Sequence, residues 1–297
     1  MRTKALGLRN LLDDAGCAGR LAISPPGVHN CWHLQQILWR WRLRAMCSCQ
    51  ARDRAMRCTQ NLILSHLTDT EFLAFETVLE PLILPRDLRL VHTGMPVSHY
   101  YFLENGIASV VAASAAGRSA EIGLVGRDGV SPPALIMEGN SFPFEITMQV
   151  AGHGRRVETA ALAGFLRENP AVLPLLSHFF HNFFAQVAHT ALSNAVHKID
   201  VRLAKWILMC NDRLNGEEIA ITHEHLATVL GVRRSSVTDA LHILEGEHLI
   251  YSTRGLVIIR NRRALEAFAA DAYDLPGVSG PASPEIARPP RAPAAAH

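Results

Sequence analysis

Apolar residues recur along this chain with two different periods, and the switches between them mark out its architecture. Phe72, Phe75 and Leu79 follow the capping box Thr68-Asp69-Thr70-Glu71 at helical spacing, which predicts a compact helix ending before Pro81. From there to about Val157 the pattern changes to short strands. Leu88 and Leu90 alternate, Thr93-Gly94 turns, and Tyr100–Leu103 is a strand. Glu104-Asn105-Gly106 turns again before a strand over Ile107–Val111, and Ala116-Gly117 turns into Ser119–Val125. Ile146–Val150 and Arg155–Val157 complete the set. Strands every eight to twelve residues with Gly or Asn at the corners predict an antiparallel sandwich or barrel.

The helical period then returns. Across Ala171–His197, Leu175, Leu176, Phe179, Phe180, Phe183, Phe184, Val187 and Ala191 give one long helix a wide apolar face. A small barrel does not cover so wide a face, so a second copy of the helix is expected on it. The expected interface of that parallel homodimer is Phe179, Phe180, Phe183, Phe184, Val187 and Ala191. Asp200–Asn215 is the next helix.

Thr222–Ile250 predicts two short helices around a tight turn. Thr222 is a good N-cap. Leu226, Ala227 and Leu230 face inward, Gly231 suits a left-handed helix end, and Val232 plugs the turn. Val237, Ala240, Leu241 and Leu244 form the inner stripe of the second helix. Its outer positions are Arg233, Arg234, Ser235, Ser236, Thr238, Asp239 and His242, groups that suit base edges and phosphates. Leu249-Ile250 and Leu256–Ile259 flank Ser252-Thr253-Arg254-Gly255 as a two-stranded wing with Arg254 at its tip. This is the layout of a winged helix-turn-helix. An ordinary helical hairpin shares the helix pair, but lacks the wing and the arginine-led outer face.

Composition narrows the classes. The net charge of +2 means that affinity for nucleic acid has to come from locally placed arginines rather than a global field. No run of 18 apolar residues exists, so no transmembrane helix is expected. Six cysteines in 297 residues do not suggest a secreted disulfide scaffold, and a cytoplasmic protein is the simplest expectation. Residues 1–58 stand apart, with three of the four tryptophans and five of the six cysteines. They lack the cleavage signature of a signal peptide. They are expected to lie outside the folded unit, as a disordered extension or a mis-assigned start with Met56 as the true one. Residues 276–297, with six prolines, are expected to be a disordered tail.

From Leu62 to Tyr273 the chain resembles the Crp/Fnr family of bacterial transcription regulators. The residues carrying the resemblance are Gly94–Gly106 (GMPVSHYYFLENG), Glu121-Ile122-Gly123 with Gly126-Arg127-Asp128-Gly129, and Thr222–Ile250. The resemblance implies an α+β chain. A small antiparallel β-barrel of the cyclic-nucleotide-binding type (jelly-roll-like, residues 59–168) is joined by a dimerisation helix (169–197) to a winged helix-turn-helix domain (198–275). It implies a homodimer on an inverted repeat of double-stranded DNA, contacted by Thr222, Arg233, Arg234, Ser235, Ser236, Thr238, Asp239, His242 and Arg254. RNA polymerase is a further partner if the protein is an activator, and no catalysis is expected.

Two departures stand out. Nucleotide-binding members carry an Arg-Ser or Arg-Thr pair that grips the cyclic phosphate, whereas Gly126–Gln149 has no arginine after Arg127 and offers Phe142, Phe144 and Glu145. A cyclic phosphate would lack its bidentate partner, so cyclic AMP is not the expected effector, and the effector stays open. Where prototype members place Arg, Glu and Arg on the reading face, this chain has Arg234, Ser235 and Asp239, which predicts a different operator.

Cys47, Cys49 and Cys58 do not have the spacing of the family's iron–sulfur branch, and no cluster is expected. No metal site is expected among the 15 histidines either. His223-Glu224-His225 is not an HExxH motif, and His178, His181 and His189 are expected as surface or interface residues. A metal-dependent cupin-like enzyme is the alternative, but His92, His99 and His153 are too widely spaced for its ligand set. A ligand-blind regulator with the barrel as scaffold is the other.

Overall fold

The computed structural model describes residues 59–134, 141–214 and 216–273. The expectations for residues 1–58, for Met56 and for 276–297 lie outside these. After a one-turn helix α1 (Leu62–Ser65), the capping box forms as expected at the start of α2 (Asp69–Glu76). Helix α2 stops at Glu76, before Pro81 as expected. Pro81 lies in strand β1 (Glu80–Leu84), at the end of the sheet order, and an edge strand tolerates the missing N–H.

Six strands make the first sheet: β1, β2 (Arg89–Val91), β3 (His99–Ala113), β4 (Ser119–Val125), β5 (Val130–Ser131) and β6 (Glu145–Glu158). The order is β1-β6-β3-β4, with β2 also on β6 and β5 also on β3. Two predicted breaks are absent. Strand β3 runs straight through Glu104-Asn105-Gly106, and Ile146–Val150 and Arg155–Val157 are parts of one strand. The pairing of β3 with β6 extends from His99↔Glu158 to Val111↔Glu145, with register shifts around Asn105. Glycine there allows two backbones to cross closely instead of turning the chain. A Cβ on Gly106 would lie 2.8 Å from the Val150 carbonyl oxygen, and one on Gly152 2.1 Å from that of Asn105. The short strands pair on either side of this crossing. The result is a folded, jelly-roll-like sheet that stays open rather than closing into a barrel.

One core lies inside this sheet, around Phe102, Leu103, Val110, Ile146 and Met148. Phe75 of α2 stacks on Phe165 of α3 (Thr159–Glu168), with ring centroids 4.3 Å apart, and closes its end. Asn61 and Glu104 fasten the start of the described chain. The buried Asn61 amide donates to the carbonyls of Leu103 and Gly129 at 2.9 and 2.8 Å. The Glu104 carboxylate accepts from Thr59 Oγ1 at 2.8 Å and from the Asn61 N–H at 3.0 Å, and it pairs with Arg155 at 3.3 Å.

Helix α4 (Leu173–Val196) then crosses the sheet. Its apolar surface is divided between the sheet and the outside. Phe179 is buried in its own chain over Gly129, where a Cβ would sit 1.9 Å from its ring, and Phe183 packs over Gly123. Two glycines on the sheet thus make room for two rings of the helix. Phe180 and Val187 are half-buried, while Ala191 is exposed and Phe184 is 73% exposed. Gln186 lies on the inward face and caps the free edge of β4, accepting from the Leu124 N–H at 2.6 Å and donating to its carbonyl at 3.2 Å.

Helices α5 (Ile199–Arg213), α6 (His223–Leu230), α7 (Arg234–Gly246) and α8 (Arg262–Ala269) follow, with a second sheet ordered β7-β9-β8 from Glu218–Ile219, Leu256–Ile259 and Ile250–Thr253. Their core, around Leu203, Ile207, Leu226, Leu241 and Leu244, also takes in Ile107, Leu124 and Val150 from the first sheet. Sheet and helices therefore share apolar contacts.

Candidate nucleic-acid interface

The turn between α6 and α7 has the geometry its residues dictate. Thr222 accepts from the His225 N–H at 3.3 Å as N-cap of α6. Gly231 ends α6 at φ 64°, and the Val232 N–H donates back to the Ala227 carbonyl at 3.0 Å. These are the bonds of a Schellman ending. Val232 is half-buried, not the fully buried plug expected. Helix α7 buries Val237, Ala240, Leu241 and Leu244, which fixes its outward side.

On that outward side Arg233, Arg234, Ser235, Asp239 and His242 are exposed, and Ser236 and Thr238 half-exposed. Arg233 is the N-cap of α7, and its side chain makes no cap hydrogen bond. The first N–H groups of α7 are therefore left for another acceptor, and two guanidiniums stand beside them. Among the described residues neither arginine is paired with a carboxylate. Two of the predicted contact residues have internal duties. Thr222 is committed to its cap and to His225 Nδ1 at 2.6 Å. Thr238 Oγ1 donates to the Arg234 carbonyl at 3.2 Å and lies 3.3 Å from His223 Nδ1, linking α7 to α6.

The wing is tighter than predicted. Thr253 pairs with Leu256, so the turn is Arg254-Gly255 alone, with Gly255 at φ 83° and Arg254 exposed at the tip. One carboxylate joins wing to helix: Glu245 of α7 accepts from both the N–H and the hydroxyl of Ser252, each at 2.8 Å. His248, between them, takes φ 57°, a left-handed conformation that histidine tolerates better than most residues.

Residues 201–268 match the model of the Crp-like helix-turn-helix domain. This part of the chain is a Crp-like helix-turn-helix domain. Solved structures share the chain's fold across both sheets. One is a putative transcriptional regulator of the Crp/Fnr family from Eubacterium rectale, 18% identical, covering 70% of this chain and 97% of its own, at a TM-score of 0.54. Another is FixK2 from Bradyrhizobium japonicum, 17% identical, covering 65% and 98%, at 0.55. A third is a regulator of the CRP family from Thermus thermophilus, 19% identical, covering 66% and 98%, at 0.54. No curated protein matches the chain.

In this chain the helix-turn-helix is fastened to the first sheet, and periodicity did not reveal how. Trp206 of α5 donates to the buried Glu121 of β4 at 2.8 Å. Arg213 of α5 pairs with Asp128 at 2.8 Å, and Arg127 donates to the Asp212 carbonyl at 3.3 Å. His225 of α6 lies 3.0 Å from Asp87, and Arg86 donates to the Ala220 carbonyl. The signal was present only as isolated polar residues in apolar surroundings, such as Glu121 between Ala120 and Ile122. Burial pushes the Glu121 carboxyl up to about 8, against smaller opposing effects of Ser109, Trp206 and Arg213. Burial likewise drives the Cys210 thiol well above its ordinary range, so this cysteine is a core residue.

Among the described residues no three His, Cys, Asp or Glu side chains gather as a metal site, so His92, His99 and His153 stay apart. No described helix is long and apolar enough to cross a membrane.

Proposed function

We propose that the protein is a homodimeric, sequence-specific regulator that places the N-terminal end of α7 in the major groove of an inverted repeat. Arg233 and Arg234 would contact guanine edges and phosphates, Ser235, Ser236 and Asp239 would tune base choice, and Arg254 would hold a phosphate from the wing. The observation that carries this reading is the exposed start of α7, where two guanidiniums without carboxylate partners among the described residues stand beside N–H groups that no side chain caps.

Dimerisation is supported by the outer face of α4. Leu173, Phe184, Leu192 and Val196 are exposed large apolar residues on a single helix. Cyclic AMP is not the effector in this reading, because the Gly126–Gln149 stretch has no arginine beyond Arg127, and Glu145 is paired with Arg89 at 3.4 Å. The protein acts on transcription through DNA and, as an activator, through RNA polymerase, rather than by catalysis.

The test is selection of bound sequences from random duplexes, followed by fluorescence anisotropy on the winner. The expected result is an inverted repeat with half-sites about one duplex turn apart. Enrichment of no sequence, or of a single unrepeated half-site, would overturn it.

A further inference from the structure

A cleft of about 390 Å³, partly open to solvent, lies where the first sheet, the end of α4, α5 and the end of α6 meet. Its walls include Glu121 of β4, Thr190 and Asn194 of α4, and Arg202, Lys205 and Trp206 of α5. Two cations here lack a counter-charge. Lys205 is only 5% exposed, and its ammonium donates to the His189 carbonyl at 3.1 Å. Arg202 donates to the Leu230 carbonyl, and its buried Nε has no hydrogen-bond partner. Among the described residues neither is in an ion pair.

Holding the buried Lys205 ammonium beside the half-buried Arg202 guanidinium without an anion is unfavourable, and buried charges are ordinarily paired. The cost is visible in Lys205, whose pKa burial, and then Arg202, lowers to about 8. The carboxyl on the wall does not supply the missing charge. Glu121 is held by Ser109 and Trp206, and burial keeps it protonated near neutral pH. The cleft is therefore doubly positive, with a hydroxyl and an amide at Thr190 and Asn194 as further donors.

We propose that this cleft binds the phosphate group of a small phosphorylated metabolite between Lys205 and Arg202. A dianion balances the two charges, and its oxygens accept from the guanidinium and the ammonium together. The site is made by both halves of the molecule, since β4 belongs to the sheet and α5 and α6 to the helix-turn-helix. Taken with the regulator reading above, on which this consequence rests, bound phosphate would hold α6 against the sheet and so make the reader's placement depend on a metabolite.

The experiment is thermal unfolding of the full chain, without DNA, in rising inorganic phosphate against chloride at matched ionic strength. The expected result is a saturable rise, about 5–10 °C at a hundredfold excess over Kd. Lys205→Arg should keep the rise and Lys205→Met should lose it. General stabilisation by excluded anions does not saturate and acts on the variants alike. No saturable rise in the wild type, or an equal rise in Lys205→Met, would overturn the proposal.

A second measurement does not depend on any variant folding. Calorimetric titration of the wild type with sulfate at pH 8, in buffers of different ionisation enthalpy, should show proton uptake as the bound dianion recharges Lys205. Binding without proton uptake would show an adventitious ion only. Because DNA is absent throughout, failure to bind an operator cannot be confused with failure of this site.

Discussion

Trp206 Nε1 donates to Glu121 Oε1 at 2.8 Å, and this bond ties the helix-turn-helix to the sheet through a buried carboxyl. Its consequence for stability follows from the sign of the shift. Burial raises the folded carboxyl from the ordinary 4.5 to about 8. Between those values the folded chain keeps a proton that the unfolded chain has released. This group's contribution is therefore full below about 4.5 and is lost as pH rises through 8. Glu121→Gln, which cannot ionise, should melt above the wild type by a margin that widens up to about pH 8 and then levels. A margin independent of pH would contradict a protonated Glu121.

Phe179 and Phe184 lie five residues apart on α4 with opposite roles. Phe179→Ala should cost about 3–5 kcal/mol in chemical unfolding, because it empties a site packed against Gly129. Phe184→Glu should leave the fold intact and shift the protein to monomer in sedimentation velocity. A Phe184→Glu protein that stays dimeric would move the proposed interface elsewhere.

On DNA, Arg234→Ala should weaken the selected operator by about 1–3 kcal/mol while leaving random duplex affinity nearly unchanged. Arg254→Ala should weaken all duplexes alike and flatten the dependence of affinity on salt. Anisotropy titrations at several salt concentrations separate the two. An operator-specific loss from Arg254→Ala would remove its assignment to phosphate.

Thr222→Ala should cost about 1 kcal/mol of stability by removing the cap of α6. Because Thr222 is already bonded to the His225 N–H and ring, its loss should not change base preference at any operator position. A changed preference would restore Thr222 to the DNA contacts.

The parts of the molecule visible in the sequence are those governed by neighbours in the chain. Thr68 with Glu71, Thr222 and Gly231 each act within a few residues, and each takes the conformation expected of it. The misreadings share one cause. Gly106 looks like a corner because glycine with Asn105 favours turns. Here it serves a crossing with Gly152, nearly fifty residues away, which no local window reveals. Phe179 and Phe184 are equally apolar, and only the glycines of the sheet decide which of them is covered. The cleft at Lys205 and Arg202 was hidden for the same reason. On a helical wheel both are ordinary surface cations, but in the fold Lys205 is buried and Arg202 half-buried.

The two hydrogen bonds from Ser252 to Glu245 carry a consequence for how this protein would discriminate among duplexes. They clamp the hairpin to the C-terminal half of α7, so Arg254 and the Arg233–Arg234 pair belong to one rigid gauge rather than to two independent fingers. Such a gauge responds to the spacing between a base edge and a neighbouring strand's phosphate. Operators would then be sorted partly by the width of the groove they present, including at base pairs that no side chain touches.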